Sequence, residues 1–380
     1  MVPAAIQEGM ASNEAIAASG IRDLPPAAVA VSARARASAV SCSLGKSATL
    51  AALTEGNMRR REFIRLAFGA AALSPMVARA QQSEPIIGIL GSSTADDYGP
   101  MIAAFPKGLN ETGYVEGKNV GFESVWADNH YDRLPVLATR LIERRVNIIM
   151  AAATPSALAA KSATSTIPIV FAIGGDPVRT GLVGSLNNPG GNVTGAAHVN
   201  VDTAPKRLEL LRELVPGRPL GLLTNPSSPL TLSVEGAVEA AAQALDVKLT
   251  VFHARNDDDI DSIFRDAPGL VGGMVIGTDV LFTSRLSALG AKSLEHKLPT
   301  IYQYRDFVAA GGVMSYGGDI KNSYYHAGIY AGRILNGEKP ANLAVQLSTK
   351  VEFFINLKAA RALGLEPPLA LVGRADEVIE

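Results

Sequence analysis

An α/β fold of two similar lobes is predicted by three observations in the 380-residue sequence. Short apolar runs of strand length alternate with longer amphipathic stretches. The alternation begins again near residue 206. The loops that follow the apolar runs are small, hydroxylic and rich in turn-forming residues. Such alternation argues for parallel sheets flanked by helices, and two rounds of it argue for two lobes.

The first round opens at Pro85–Leu90, a buried strand ending in a Gly-Ser-Ser-Thr loop. A helix is expected over 98–113, with Gly113 as its stop. A strand follows at Asn119–Trp126, a helix at 131–145 and a buried strand at Val146–Ala151. Thr154 is the expected N-cap of the next helix, with Pro155 tolerated in its first turn. Strands at Ile167–Ile173 and Asn192–Ala197 complete this round.

The second round reads helix Lys206–Leu214, strand Leu220–Leu223, helix 229–245 and strand Val247–Phe252. A helix from 257, the strand Leu270–Ile276, a helix over 281–296 and the strand Pro299–Tyr302 follow. The Gly-rich segment 309–318 reads as a strand crossing between lobes, leading into a helix over 319–335. The expected division is 84–200 plus 309–340 for the first lobe and 201–308 plus 341–380 for the second.

Upstream, Met58 precedes the arginines Arg59, Arg60 and Arg61, an apolar run Leu66–Leu73 and the small-x-small site Ala78-Arg79-Ala80. These are the parts of an export signal, with cleavage expected after Ala80. The apolar run is too short for a membrane span, which needs about 20 residues. The alternative is an amphipathic surface helix with a basic end. The Arg-Arg pair followed by Glu62-Phe63-Ile64-Arg65 resembles the twin-arginine export motif. Residues 1–57, rich in Ala and Ser and without clean periodicity, are read as a non-native or disordered extension, and Met58 as the biological start. A soluble periplasmic protein is the expectation.

Charge is close to balance, 35 basic against 36 acidic residues, and no basic block suggests nucleic acid. The single cysteine, Cys42, lies in the extension, so no disulfide framework is expected after cleavage.

In open parallel sheets, ligands bind beyond the carboxyl ends of the strands. The loops there are Gly91–Thr94, Ala153–Ser156, Gly174–Pro177, Thr224–Ser228, Gly277–Asp279, Tyr302–Tyr304 and Ser315–Gly317. Each alone makes an ordinary turn. Seven alike at strand ends indicate a small-molecule pocket. Catalytic and metal signals are weak. The five histidines are scattered, no H-E-x-x-H, dinucleotide or Walker loop occurs, and Ser315 lacks the first glycine of a nucleophile elbow. Asp96-Asp97 and Asp257-Asp258-Asp259 read as negative charge at helix starts. No catalytic residue, metal ligand or cofactor is expected.

Long motifs add a resemblance. "GLVGSLNNPGGNVTG" at 181–195, "KRLELLRELVPG" at 206–217, "LLTNPSSP" at 222–229, "LPTIYQYRDFVAAGGVMSYGGD" at 298–319 and "INLKAARALGLEPP" at 355–368 resemble ABC-transporter solute-binding proteins of the TrpX-like group. The similarity covers essentially all of 84–380. It implies a type I periplasmic-binding-protein fold, two Rossmann-like lobes joined by three crossing segments that close on a ligand. It further implies an ABC permease and its ATPase as partners, a monomer, and amino acids, including aromatic ones, as ligands. The contacts it implies are Ser92, Ser93, Thr94, Thr154, Ser156 and Asp176 from the first lobe. The second lobe offers Asn225, Ser227, Thr278, Asp279 and Tyr302, with Ser315 and Tyr316 by the crossing strand. Thr154 and Ser156 would hold a carboxylate, Asp279 or Asp176 an ammonium group, and Tyr98, Tyr302 or Tyr304 would stack on the ligand. Each aspartate has a plainer alternative as a helix N-cap. A ligand sensor that partners a signalling receptor, or an enzyme on the same lobes, are the competing functions.

Overall fold

The computed structural model describes residues 84–380; the extension and export signal read from the sequence lie outside the described residues. Two mainly parallel sheets form the two lobes. The first contains β1 (Ile86–Gly91), β2 (Gly121–Trp126), β3 (Ile148–Ala152), β4 (Ile169–Ile173), β5 (Val193–His198) and β11 (Gln346–Ser348). Their spatial order is β11-β5-β4-β3-β1-β2, all parallel.

The second contains β6 (Leu220–Thr224), β7 (Leu249–His253), β8 (Met274–Ile276), β9 (Thr300–Tyr302), β10 (Met314–Gly318), β12 (Val351–Asn356) and β13 (Glu377–Ile379). Their order is β13-β12-β10-β9-β8-β6-β7, with β12 antiparallel to β10. Each sheet thus reverses its winding once, between β1 and β3 and between β6 and β8. Those reversals are the topological switch points at which such sheets hold ligands.

Strands β3 and β4 are buried at every residue, as expected of a sheet covered on both faces. One apolar cluster, including Leu90, Ile149, Phe171 and Ile173, fills one face of the first sheet. A second, including Leu222, Val275, Ile301 and Ile355, fills the second lobe. A third runs from Ile87 and Met150 through Tyr98 and Tyr304 to Phe282 and Phe307, and so continues across both lobes.

Three segments cross between the sheets: 199–203, 319 and 349–350, read from the sheet membership of the strands on either side. The sequence placed all of 309–340 with the first lobe. The strand 314–318 instead pairs with β9 and β12 in the second sheet, so the crossing comes only after Gly318. Conversely, β11 returns 346–348 to the first sheet beside β5. The helix Ile320–Leu335 packs against β4 and β5 of the first sheet. It lies against the helix Phe105–Asn110 at glycine contacts: a Cβ on Gly108 would sit 1.9 Å from the Tyr325 carbonyl oxygen, and one on Gly328 would sit 2.1 Å from that of Phe105.

Two expected helices are divided. The span 98–113 becomes Ala95–Ile102 and Phe105–Asn110, the second with Pro106 in its first turn, and 281–296 becomes Val280–Ser284 and Leu286–Glu295. Among the described residues, no helix is long and apolar enough to cross a membrane.

Candidate functional site

A cavity lies where the two switch points face each other. Its walls include Tyr98, Ala153, Thr154, Gly174 and His198 from the first lobe, and Ser228, Leu230, Thr278, Asp279, Thr283, Gln303 and Tyr304 from the second. The space between these walls, counted to its open mouth, is about 360 Å³.

The first-lobe wall is built on the turn from β3 into the helix Thr154–Ala163. Thr154 is the first residue of that helix, and Ala153 occupies the cap position the sequence had given to Thr154. Ala153 has φ +77° and ψ 166°, a region that non-glycine residues enter at a cost of about 1–3 kcal/mol. The strain is held in place by its N–H, which donates to the Ala172 carbonyl at 3.0 Å, and by its carbonyl, which accepts from Ala157 at 3.1 Å. The start of this helix carries unsatisfied N–H groups and the positive end of its dipole. Beside it, the Thr154 hydroxyl is buried with no partner.

The second-lobe wall is organised by Asp279, 6 % exposed, at the N-cap of Val280–Ser284. Its Oδ1 accepts three hydrogen bonds, from Asn225 Nδ2 at 2.9 Å, from the Leu281 N–H at 3.0 Å and from the Tyr131 phenol at 2.9 Å. Its Oδ2 is buried with no partner. Burial raises the Asp279 pKa, opposed by Asn225, by the neighbouring Ser228 hydroxyl, and by the hydrogen bonds from Leu281 and Tyr131. The sequence offered helix cap and ligand contact as alternatives for this residue; the geometry gives one oxygen to the cap and leaves the other over.

Aromatic groups close the remaining sides. Tyr98 packs edge-on to Tyr324 at 6.2 Å, and burial pushes its phenol up to about 12. Tyr304 lies edge-on to Tyr302 at 5.7 Å, and its hydroxyl meets His198 Nε2 at 3.3 Å. His198 Nδ1 in turn meets Ser323 Oγ at 3.2 Å. Burial holds the imidazole pKa down to about 3, so the ring is neutral near pH 7.

Of the thirteen residues implied by the resemblance, Thr154, Thr278 and Asp279 line the cavity. Four others stand behind that lining. Ser92 and Ser156 bond to each other at 2.6 Å, Asn225 holds Asp279, and the Tyr302 hydroxyl meets Thr283 Oγ1 at 2.8 Å. Ser93 is buried with an unpartnered hydroxyl.

The rest are used elsewhere. Thr94 caps the helix Ala95–Ile102. Asp176 accepts from the Val178 and Arg179 N–H groups and pairs with the Arg179 side chain at 3.2 Å, so its carboxylate is occupied within its own turn. Ser227 is exposed and contributes only its N–H, to Asn225. Ser315 is buried in β10, and Tyr316 packs edge-on to Phe353. Of the three tyrosines expected to stack, Tyr98 and Tyr304 reach the cavity and Tyr302 lies beneath it.

Sequence reasoning did not single out His198, Leu230 or Tyr131. His198 ends β5, so extending the strand-end rule to that strand would have found it. Leu230 seats on Gly175 across the cleft, where an added Cβ would come within 2.6 Å. Neither Leu230 nor Tyr131 carries a sequence signal of this role. At the rim, Arg285 Nη1 pairs with Asp97 of the first lobe at 2.9 Å, and its Nε with Asp257 at 2.8 Å. Among the described residues, no group of three or more His, Cys, Asp or Glu side chains is arranged to hold a metal ion.

A family model for ABC transporter substrate binding proteins matches residues 98–379. A tyrosine-binding protein of Clostridioides difficile (strain R20291) is 28% identical over 264 residues, covering 69% of this chain and 76% of the relative. A solved ABC domain in complex with L-Trp from Streptococcus pneumonia is 25% identical, with a TM-score of 0.71 over 78% of this chain and all of that one. A ligand-free, open substrate binding protein with adhesive properties from Clostridium difficile is 27% identical and covers 78% of this chain and 99% of that one, with a TM-score of 0.55.

Proposed function

Because the chain belongs to the ABC transporter substrate-binding protein family, we propose that it is the periplasmic solute-binding component of an ABC importer, closing on an α-amino acid with an aromatic side chain and delivering it to a membrane permease. The observation that carries the ligand class is the unpartnered, buried Oδ2 of Asp279. A buried carboxylate oxygen without a donor is costly, and a ligand ammonium supplies the charge-assisted hydrogen bond it lacks. The Thr154 hydroxyl and the helix start beside it suit the ligand carboxylate. Tyr98, Tyr304 and His198 suit a flat, apolar body.

The relatives named for tyrosine and for L-Trp support the same class. At nearly equal identity, the fold superposes better on the L-Trp complex than on the ligand-free open protein. That agrees with the contacts made here between lobes by Tyr131 with Asp279 and by Arg285 with Asp97. A ligand that touches both lobes favours the closed arrangement by its differential affinity for it. The closed arrangement is then the one presented to permease and ATPase by a monomer carrying no cofactor.

Export through the twin-arginine route, with cleavage after Ala80, belongs to the same proposal. Exchanging Arg60 and Arg61 for Lys leaves precursor in the cytoplasm on this account; undiminished export places the protein on the general secretory route. The binding reading is tested by a thermal-shift screen of amino acids and small aromatic acids. Aromatic amino acids raise the melting temperature if the reading is right. A flat response to every amino acid sinks it.

A further inference from the structure

Arg207 is 0 % exposed, yet no carboxylate pairs with it among the described residues. It projects from the second-lobe helix Ala204–Leu214 into the junction of the crossing segments. Its Nη2 donates to the Asn200 carbonyl at 2.9 Å and to Thr278 Oγ1 at 3.3 Å. Its Nη1 donates to the Tyr316 carbonyl at 3.1 Å and to Thr203 Oγ1 at 3.1 Å. Only Nε lacks a partner.

The acceptors are informative because of where they lie. Asn200 belongs to the first crossing, and its Oδ1 also accepts from the Gly318 N–H at 2.7 Å, at the edge of the second crossing. Tyr316 is two residues before that point in β10. Thr278 faces the ligand cavity and donates on to Gln303 Oε1 at 2.7 Å, another lining residue. One planar guanidinium therefore touches the first crossing, the strand that leads into the second, and the cavity wall. A buried cation held only by neutral acceptors is a poor way to gain stability. A rigid fork of five N–H groups is a good way to fix several oxygens relative to one another.

We propose that Arg207 is the positioning residue that ties the ligand-facing wall at Thr278 to the crossing segments, so that occupation of the cavity sets the angle between the lobes. The amino-acid reading enters only through the choice of probe ligand. Without Arg207, the wall and the crossings move independently, and the lobes sample a wider range of angles even before ligand binds.

The test uses the full chain with its only cysteine removed (Cys42→Ser) and dyes attached through Val136→Cys and Leu270→Cys, two exposed positions on different lobes. Arg207→Lys keeps the charge and loses the fork. A wider inter-dye distance distribution without ligand is expected, together with L-tyrosine affinity lowered about tenfold, the scale of losing hydrogen bonds to a charged group. A folded Arg207→Lys protein whose distance distribution matches the parent overturns the proposal.

Thr203→Val provides a milder variant outside the cavity, should Arg207→Lys not fold. It removes one acceptor of the guanidinium and is expected to widen the distribution less, in the same direction; an unchanged distribution there also overturns the proposal. If the parent protein itself binds neither L-tyrosine nor L-tryptophan, the amino-acid reading fails, while the distance measurement still decides the role of Arg207.

Discussion

The phenol of Tyr131, in the first lobe, donates a 2.9 Å hydrogen bond to Oδ1 of Asp279 in the second. This bond joins the lobes and completes a set of three donors on a single carboxylate oxygen, leaving Oδ2 without a donor. Asp279→Asn preserves a good helix N-cap and deletes the charge. Calorimetry is expected to show amino-acid affinity reduced about ten- to a hundredfold, the scale of a lost charge-assisted hydrogen bond. The melting temperature should hold or rise, since an uncompensated buried charge is removed. Undiminished affinity would place the ammonium elsewhere.

The strained turn before Thr154 gives a prediction of opposite sign. Ala153 sits at φ +77°, where glycine is at ease. Ala153→Gly should stabilise the protein by about 1 kcal/mol, strain relief outweighing the added freedom of the unfolded chain. Denaturant unfolding reads this directly, and a loss of stability contradicts the assigned strain.

A contact between the lobes at the rim is made by Arg285, whose guanidinium lies between Asp97 of one lobe and Asp257 of the other. These groups are partly exposed, so the pair is screened by solvent and salt. Arg285→Gln should weaken ligand binding by about two- to fivefold at low salt, since such pairs contribute modestly. Near 1 M salt, where the Debye length falls to about 3 Å, the difference should largely disappear. A salt-independent loss would indicate a contact other than charge.

Acid stability follows from His198. Burial lowers its pKa from 6.5 to about 3, so below pH 6.5 the unfolded chain takes up a proton that the folded protein refuses. Stability from this group is therefore present above pH 6.5 and is lost as pH falls toward 3. Between pH 6.5 and about pH 5 the loss is about 2 kcal/mol. Asp279 acts in the opposite direction, because its raised pKa lets the folded state bind a proton before the unfolded one does. His198→Gln should flatten the acid limb of a melting-temperature profile. A profile as steep as the parent's would assign the acid loss to other groups.

Much of this architecture was legible in the sequence, and the exceptions have physical causes. Fully buried strands such as Ile148–Ala152 and Ile169–Ile173 announce themselves as apolar runs of strand length, and the fold is the type I periplasmic-binding-protein fold that the resemblance implied. The edge strands β11 and β13 are three residues each, too short for a periodic signal. The lobe membership of 314–318 rests on pairing with a strand some forty residues later, which local pattern does not encode.

In the site, strand-end logic singled out loops that contribute Thr154, Thr278 and Asp279 to the cavity lining. It did not distinguish Asp279 from Asp176, since both are aspartates following small residues at strand ends. The difference lies in Arg179, which occupies the Asp176 carboxylate, whereas Asp279 keeps one oxygen unpartnered. Tyr131 and Arg207 were invisible because their partners, Asp279 and the Tyr316 carbonyl, lie more than a hundred residues away in sequence.

The central claim is that one ligand presents its ammonium to Asp279 and its carboxylate to the start of the Thr154–Ala163 helix. Calorimetry with L-tyrosine or L-tryptophan, alongside tyramine and 3-(4-hydroxyphenyl)propionate, tests it most directly. The account predicts that the amino acid binds and that each truncated analogue, lacking one charged group, binds about tenfold or more weakly. An analogue binding as tightly as the amino acid would contradict it.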